Sequence, residues 1–162
     1  QEHRIDLGLV EGICRLPNLR YTTFLQDELV AVVHTGSKLS LPDEITPEDL
    51  SRIPLVLRER GSGTLDVFER ALSEHNMKLS SLNVLLYLGS TESIKLFLEH
   101  TDCIGIVSIR SISRELLSGT FRVIEIKGMP MLREFCFAQP QGQESGLSQV
   151  LMQFAMHHNK KL

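Results

Sequence analysis

Between Leu55 and Val107 the chain changes its hydrophobic period four times in about fifty residues. Leu55-Val56-Leu57 is a short apolar run. From about Gly63 to Glu74 the spacing is helical, with Leu65, Phe68, Ala71 and Leu72 on one face. A second apolar run follows at about Asn83–Leu88. Gly89-Ser90 then opens a second helical stretch, with Ile94, Phe97 and Leu98 on one side and Ser90 as its N-cap. A third run occupies Cys103–Val107. Strand, helix, strand, helix, strand in this order dictates a parallel sheet. Each return to a parallel neighbour needs a crossover, and the crossovers cover both faces.

The flanks extend this block. "RIDLGLV", Arg4–Val10, reads as a strand that ends at the turn signal Glu11-Gly12. Tyr21–His34 holds a longer strand, and Leu29–Val33 at its centre is apolar on both faces, so both faces should be covered. The stretch from Thr35 to Pro54 is loop-like except for "TPEDL", where Thr46 caps a short helix, Pro47 takes its first position and Glu48 and Asp49 suit its positive end. Ser111–Leu117 reads as a helix stopped by Gly119, and "FRVIEI" and "REFCFAQP" as two strands. Leu147, Val150, Leu151 and Phe154 line a closing amphipathic helix. The long strands near Glu28–Val33 and Arg133–Ala138 bracket the block; side by side, they would link it to the two ends of the chain.

In an open parallel sheet, ligands lie beyond the carboxyl ends of the strands. This chain places "RERGSG" at one such end and "LGSTES" at the next. Both put backbone N–H groups at a helix start, where unpaired donors and partial positive charge suit carboxylate, sulfate or phosphate. Gly61 and Gly63 permit close backbone approach, Ser62 and Thr64 add hydroxyls, and Arg58 and Arg60 add a planar clamp for an oxyanion. The turn has a plainer reading too, with Gly61 making the turn and Ser62 or Thr64 capping the helix. The spacing fits neither a Walker loop nor a dinucleotide fingerprint, so a small anion suits it better than a nucleotide. Glu11, directly after a strand, is a turn residue or a carboxylate lining a binding cleft; its strand-end position favours the cleft.

Other chemistry is poorly supported. There is no Gly-x-Ser-x-Gly elbow, and the nearby His34 and Ser37 have no identifiable third partner, so no enzyme is expected. The six histidines form no zinc pattern, and neither a metal nor a cofactor is expected; His157 and His158 read as surface residues. Three cysteines, Cys14, Cys103 and Cys136, are too few and too odd for a disulfide framework and point to a reducing, cytoplasmic compartment. Gln1–Asp6 is polar and unlike a signal peptide, and no apolar run approaches the ~20 residues that span a bilayer, so no membrane partner is expected. Net charge is −3, which excludes a surface that is basic throughout and built for nucleic acid; Lys160-Lys161 reads as a solvated tail.

Taken in series, the segments resemble the effector-sensing domain of LysR-type transcriptional regulators. The resemblance runs through "RIDLGLVEG", "DELVAVVHTGSKLS", "ITPEDLSRIPLVLRERGSGT", "LGSTESIKLFLEH", "CIGIVS" and "ELLSGTFRVIEI", in the family's order and spacing over nearly the whole chain. It implies an α/β, two-lobed fold like the periplasmic solute-binding proteins of type II, with two crossover strands. Lobe two would be residues 28–134, and an incomplete lobe one residues 1–27 with 135–162. It also implies an effector site at Glu11, Arg58, Glu59, Arg60, Gly61, Ser62, Gly63, Thr64 and Ser108. The effector would be a small anionic metabolite bound between the lobes, and the domain would pair as a homodimer or homotetramer. DNA would be touched only through a winged helix-turn-helix domain absent from this chain.

The sequence departs from the family pattern in two further ways. No counterpart of the family's opening strand and helix precedes Gln1, so the chain reads as a fragment starting inside lobe one. Cys103 stands where the family often has glycine, and as the only centrally placed cysteine of its lobe it does not fit the paired-cysteine peroxide sensors. Two rivals share the fold. A transporter's solute-binding protein would need export, against three unpaired cysteines; an enzyme would need an acid, base or nucleophile that the residues do not assemble.

Overall fold

A computed structural model of the chain describes residues 5–11, 16–142 and 146–159. Arg4, Gly12, Cys14 and the Lys160-Lys161 tail, all read above, lie outside the described residues. The strands are β1 (Gly8–Glu11), β2 (Leu19–His34), β3 (Glu44–Ile45), β4 (Leu55–Arg58), β5 (Val84–Leu88), β6 (Ile104–Ser108), β7 (Phe121–Ile126) and β8 (Met131–Pro140). The helices are α1 (Gly63–Glu74), α2 (Thr91–His100), α3 (Ser113–Leu117) and α4 (Gly146–Asn159). Short 3-10 turns occupy Pro47–Ser51, Leu79–Ser81 and Ile109–Ile112. The chain forms two compact units, residues 28–132 and residues 1–27 with 133–162. β2 and β8 each run from one unit into the other.

In the larger unit the strands lie in the order β5-β4-β6-β2-β7-β3. β4 pairs in parallel with β5 and with β6, as the alternation of periods requires. β2 is the exception, antiparallel to both β6 and β7. Alternation along each strand divides the core in two. Leu29, Ala31, Val33, Leu55, Leu57, Ile104 and Ile106 face α1, which contributes Leu65, Phe68, Ala71 and Leu72. Val30, Val32, Val56 and Val107 face α2, which contributes Ile94 and Leu98. Gly105 falls on the α2 face, and a Cβ there would lie 2.9 Å from Ile94 Cγ2 and 3.0 Å from Leu98 Cδ1. The missing side chain is what lets α2 reach the sheet.

Coverage is not complete. On the edge strand β5, Leu85, Leu86 and Tyr87 remain exposed. β3 was read as loop; two residues between Pro42 and Pro47 carry no periodicity, and only the parallel pairing with Glu125 and Ile126 defines the strand. The stretch expected as one helix over Ser111–Leu117 is a 3-10 turn followed by one short α-turn.

The smaller unit has the strand order β1-β8-β2, with β1 antiparallel to β8 from Gly8↔Ala138 to Glu11↔Phe135. β1 is shorter than the sequence suggests, because Ile5–Leu7 make no ladder. Cys136, Phe137 and Ala138 are buried, and Phe137 meets Phe24 at a centroid distance of 4.9 Å. α4 forms as expected, but its stripe of Leu147, Val150, Leu151 and Phe154 is exposed.

Cys103 and Cys136 are both buried. Burial pushes the Cys103 thiol up to about 11, and the neighbouring Asp102 charge adds to the shift. The thiolate is the reactive form, so native Cys103 is expected to resist iodoacetamide at about pH 8 and to label on unfolding. Mass-spectrometric mapping of the label checks this; rapid labelling in the native state would contradict it.

Candidate functional site

Because β4, β5 and β6 are parallel, their carboxyl ends share one edge of the larger unit. Arg58 closes β4 and lies opposite Leu88 of β5, while Ser108 closes β6 on the other side of β4. The edge therefore gathers the Arg58–Thr64 turn in the middle, Gly89-Ser90 on one flank and Ser108 on the other. α1 and α2 start from this edge on opposite faces of the sheet. Eight of the nine expected site residues are brought to it. Glu11 is not among them, since it belongs to the smaller unit.

The turn is tight. Glu59 N–H donates to the Leu88 carbonyl at 3.1 Å and Ser62 N–H to the Glu59 carbonyl at 3.2 Å. Gly61 takes φ +85°, a left-handed value that costs most other residues free energy. Gly61→Ala is expected to lower stability by about 1–2 kcal/mol although nothing lies within 4 Å of the added Cβ, because the cost is in the backbone. A denaturation midpoint equal to wild type would refute that account.

Ser62 is the N-cap of α1, its Oγ accepting from Leu65 N–H at 3.2 Å. Ser90 caps α2 likewise, accepting from Ser93 N–H at 3.1 Å. Cap and cradle are not exclusive readings. Capping occupies a lone pair of the hydroxyl, while its O–H is a separate donor. The cap accounts for only one of the first-turn amides, the group of donors that a helix start presents. Ser62 and Thr64 are both buried, so what the turn can present is chiefly backbone N–H and the Ser62 hydroxyl.

The expected two-arginine clamp is changed by the structure. Arg58 Nε and Nη2 donate to the two carboxylate oxygens of Glu59 at 2.7 and 2.9 Å. That bidentate contact holds the Glu59 carboxyl below its ordinary range and raises the Arg58 guanidinium. Sequence reasoning treated the two residues as separate contributors; adjacent residues at a strand end lie close enough to satisfy each other. Arg60 is exposed and lines a surface groove with Gly61, Asp66, Glu69 and Lys78. Two cations there face two carboxylates, so the groove itself has no net preference for an anion.

Glu11 belongs to a cluster that the sequence did not reveal. Arg133 Nε and Nη2 both reach Asp27 Oδ2, at 2.8 and 2.7 Å, and Nη1 lies 3.4 Å from Glu11 Oε1. The guanidinium also stacks over Phe135 at 4.9 Å. Asp27 is almost fully buried. Among the described residues no group of three or more histidine, cysteine or acidic side chains is placed to hold a metal. Nor is any helix among the described residues long and apolar enough to cross a membrane.

A family model described as "LysR substrate binding domain" matches residues 1–160. The HTH-type transcriptional regulator YeiE of Escherichia coli K12 is 33% identical over 125 residues, 77% of this chain and 41% of the relative. The HTH-type transcriptional activator CmpR of Synechocystis is 29% identical over 144 residues, 88% of this chain and 46% of the relative. The chain thus spans less than half the length of these relatives. The regulatory domain of Synechocystis CcmR, solved in complex with 2-PG, superposes with a TM-score of 0.80 at 24% identity. That comparison covers 98% of this chain and 76% of the CcmR chain, and it matches the fold of a two-lobed, periplasmic-binding-protein-like regulatory domain. With the family match running from end to end, the chain belongs to the LysR substrate binding domain family.

Proposed function

We propose that this chain is the effector-sensing part of a longer transcriptional regulator, and that it receives a small anionic metabolite at the edge formed by Arg58–Thr64, Gly89-Ser90 and Ser108. The observation that carries this reading is the convergence of two capped helix starts and a strand-end serine on one edge of a parallel sheet. Such starts offer N–H donors and partial positive charge without needing a free lysine or arginine. The relatives' names as transcriptional regulators, and the 2-PG held by the CcmR domain, support an effector site rather than a catalytic one. The module carries out no chemistry of its own and works in the cytoplasm. Contact with DNA is made elsewhere in the longer protein.

Effector binding regulates only if the anion prefers one conformation of the sensor over another. The sensors pair as homodimers or homotetramers, a reading supported by the exposed apolar edge strand β5. The single experiment is a thermal-shift titration of the protein with 2-PG, inorganic phosphate and sulfate. A ligand at 100 times its Kd should stabilise the fold by about 2.7 kcal/mol. Ser62→Ala should lower the unliganded stability by about 1 kcal/mol through loss of the cap and should also shrink the ligand shift. Arg60→Ala should leave the shift nearly unchanged, because Asp66 and Glu69 already balance the cations of its groove. No shift from any anion, or an undiminished shift in Ser62→Ala, would overturn the assignment.

A further inference from the structure

Ser108 has to be held at the edge by something, and the residues after it form only a 3-10 turn, Ile109–Ile112, and one short helix. Packing holds part of this segment, since Ile112 is fully buried and Ile109 packs on the same cluster. The polar side of the turn is held differently. The Ser108 carbonyl accepts from Ser111 Oγ at 2.6 Å, and the Ser111 carbonyl accepts from Lys95 Nζ at 3.2 Å. Lys95 lies on α2, the helix that starts at the same edge from Ser90.

Lys95 is an unusual lysine. Its side chain is only 13% exposed, although lysine ordinarily keeps its ammonium in water. Glu115 Oε1 meets the ammonium at 2.6 Å and Glu92 Oε1 at 3.0 Å. With the Ser111 carbonyl, three acceptors match the three N–H bonds of an ammonium. Burial alone would lower the Lys95 pKa, but Glu115 and Glu92 outweigh it and raise it; Lys95 in turn holds the Glu115 carboxyl below its ordinary range. Both groups stay charged across the neutral range, so the contact is a fixed tie and not a proton switch. The tie has a visible cost, because Glu115 Oε2 is buried with no hydrogen-bond partner among the described residues. Arg110 and Arg114 line the same recess, and the Arg114 charge also favours the Glu115 carboxylate. A surface ion pair would not require a buried orphan oxygen; a contact that sets geometry explains one.

We propose that Lys95 is a positioning residue for effector recognition: held by Glu92 and Glu115, its ammonium fixes the Ser111 carbonyl and thereby the turn that presents Ser108. This rests on the proposed anion site and names a residue that touches no anion there. It links the two flanks of the edge, because the helix starting at Ser90 sets the place of Ser108.

The test compares wild type, Lys95→Met and Lys95→Arg by two readouts: amide hydrogen exchange without ligand, and affinity for 2-PG, inorganic phosphate and sulfate. Methionine keeps the aliphatic stem packed and removes only the ammonium. Lys95→Met is expected to raise exchange selectively at Ile109–Ile112 while the α1 amides stay protected. The same change should weaken anion affinity about tenfold, the scale of coupling for a residue acting through another. Lys95→Arg, which keeps donors at the same place, should recover most of both. A wild type that binds an anion together with a Lys95→Met protein that binds it equally well would sink the proposal alone. A wild type indifferent to every anion would sink the site and the proposal with it. Uniformly raised exchange in Lys95→Met, without arginine rescue, would show a general structural role and also overturn it.

Discussion

Arg133→Ala is expected to destabilise the protein by about 3–5 kcal/mol, more than any change at the proposed anion-binding edge. Asp27 is 6% exposed as a residue, and the guanidinium reaches one of its carboxylate oxygens through two nitrogens. Alanine removes that partner and leaves a carboxylate in a site that water hardly enters. Glu11 loses the same cation, and the Phe135 ring loses its stacking partner. The position sharpens the consequence, since β2 passes into the larger unit immediately after Asp27 and β8 leaves it immediately before Arg133. Asp27→Asn should cost less than Arg133→Ala, because a neutral amide tolerates burial better than an unpaired charge. In the combined variant Asp27→Leu/Arg133→Met the penalty should fall below that of Arg133→Ala, as apolar groups of similar volume often replace a buried pair at little cost. Urea unfolding of the four proteins measures this. A combined variant less stable than Arg133→Ala would mean that the pair is not the origin of the effect.

The sequence made the larger unit legible because its signals are local. Gly-Ser turns between apolar runs place the starts of α1 and α2 to within a residue, and the parallel direction of β4, β5 and β6 follows from the crossovers alone. Ser90 is readable as a cap from position, and Ser62 as one of two candidates with Thr64. What stayed hidden is tertiary. Asp27 and Arg133 are over a hundred residues apart, and neither carries a mark of its partner. Nothing in the sequence marks Lys95 on its amphipathic helix, and only the fold of residues 109–115 over it leaves its side chain 13% exposed. The Arg58–Glu59 contact was hidden for the opposite reason: side chains of neighbouring residues usually diverge, and at a strand end they need not. Glu11 was singled out by its strand end, and the structure places it beside a cation that the sequence gives no reason to pair with it.

Gly105→Val is expected to cost about 3 kcal/mol, the upper end for overpacking a filled core. Gly105 lies in the middle of β6, between Val56 of β4 and Val32 of β2. Its missing side chain is the space into which α2 presses. A Cβ there would stand 2.9 Å from Ile94 Cγ2 and 3.0 Å from Leu98 Cδ1. The two neighbours differ in how they can respond. Leu98 Cδ1 ends a flexible side chain and can turn away. Ile94 Cγ2 hangs on a β-branched carbon whose rotamer is fixed in a helix, so relief requires the helix itself to move. Both isoleucine and leucine are fully buried, which leaves no solvent side to move toward. Gly105→Ala should therefore cost about 1–2 kcal/mol and valine more, in steps that follow the added volume. Ile94→Ala deletes the offending methyl and leaves a cavity of its own, so Gly105→Ala/Ile94→Ala should lose less than the sum of the single losses. The same displacement reaches the proposed anion-binding edge, because α2 carries both Ser90 at its start and Lys95 one turn on. A Gly105→Ala protein is accordingly expected to combine its stability loss with faster exchange at Ile109–Ile112. Calorimetric unfolding with residue-resolved exchange reads both at once; a stable Gly105→Val protein with an unmoved turn would show that Gly105 is not what seats α2.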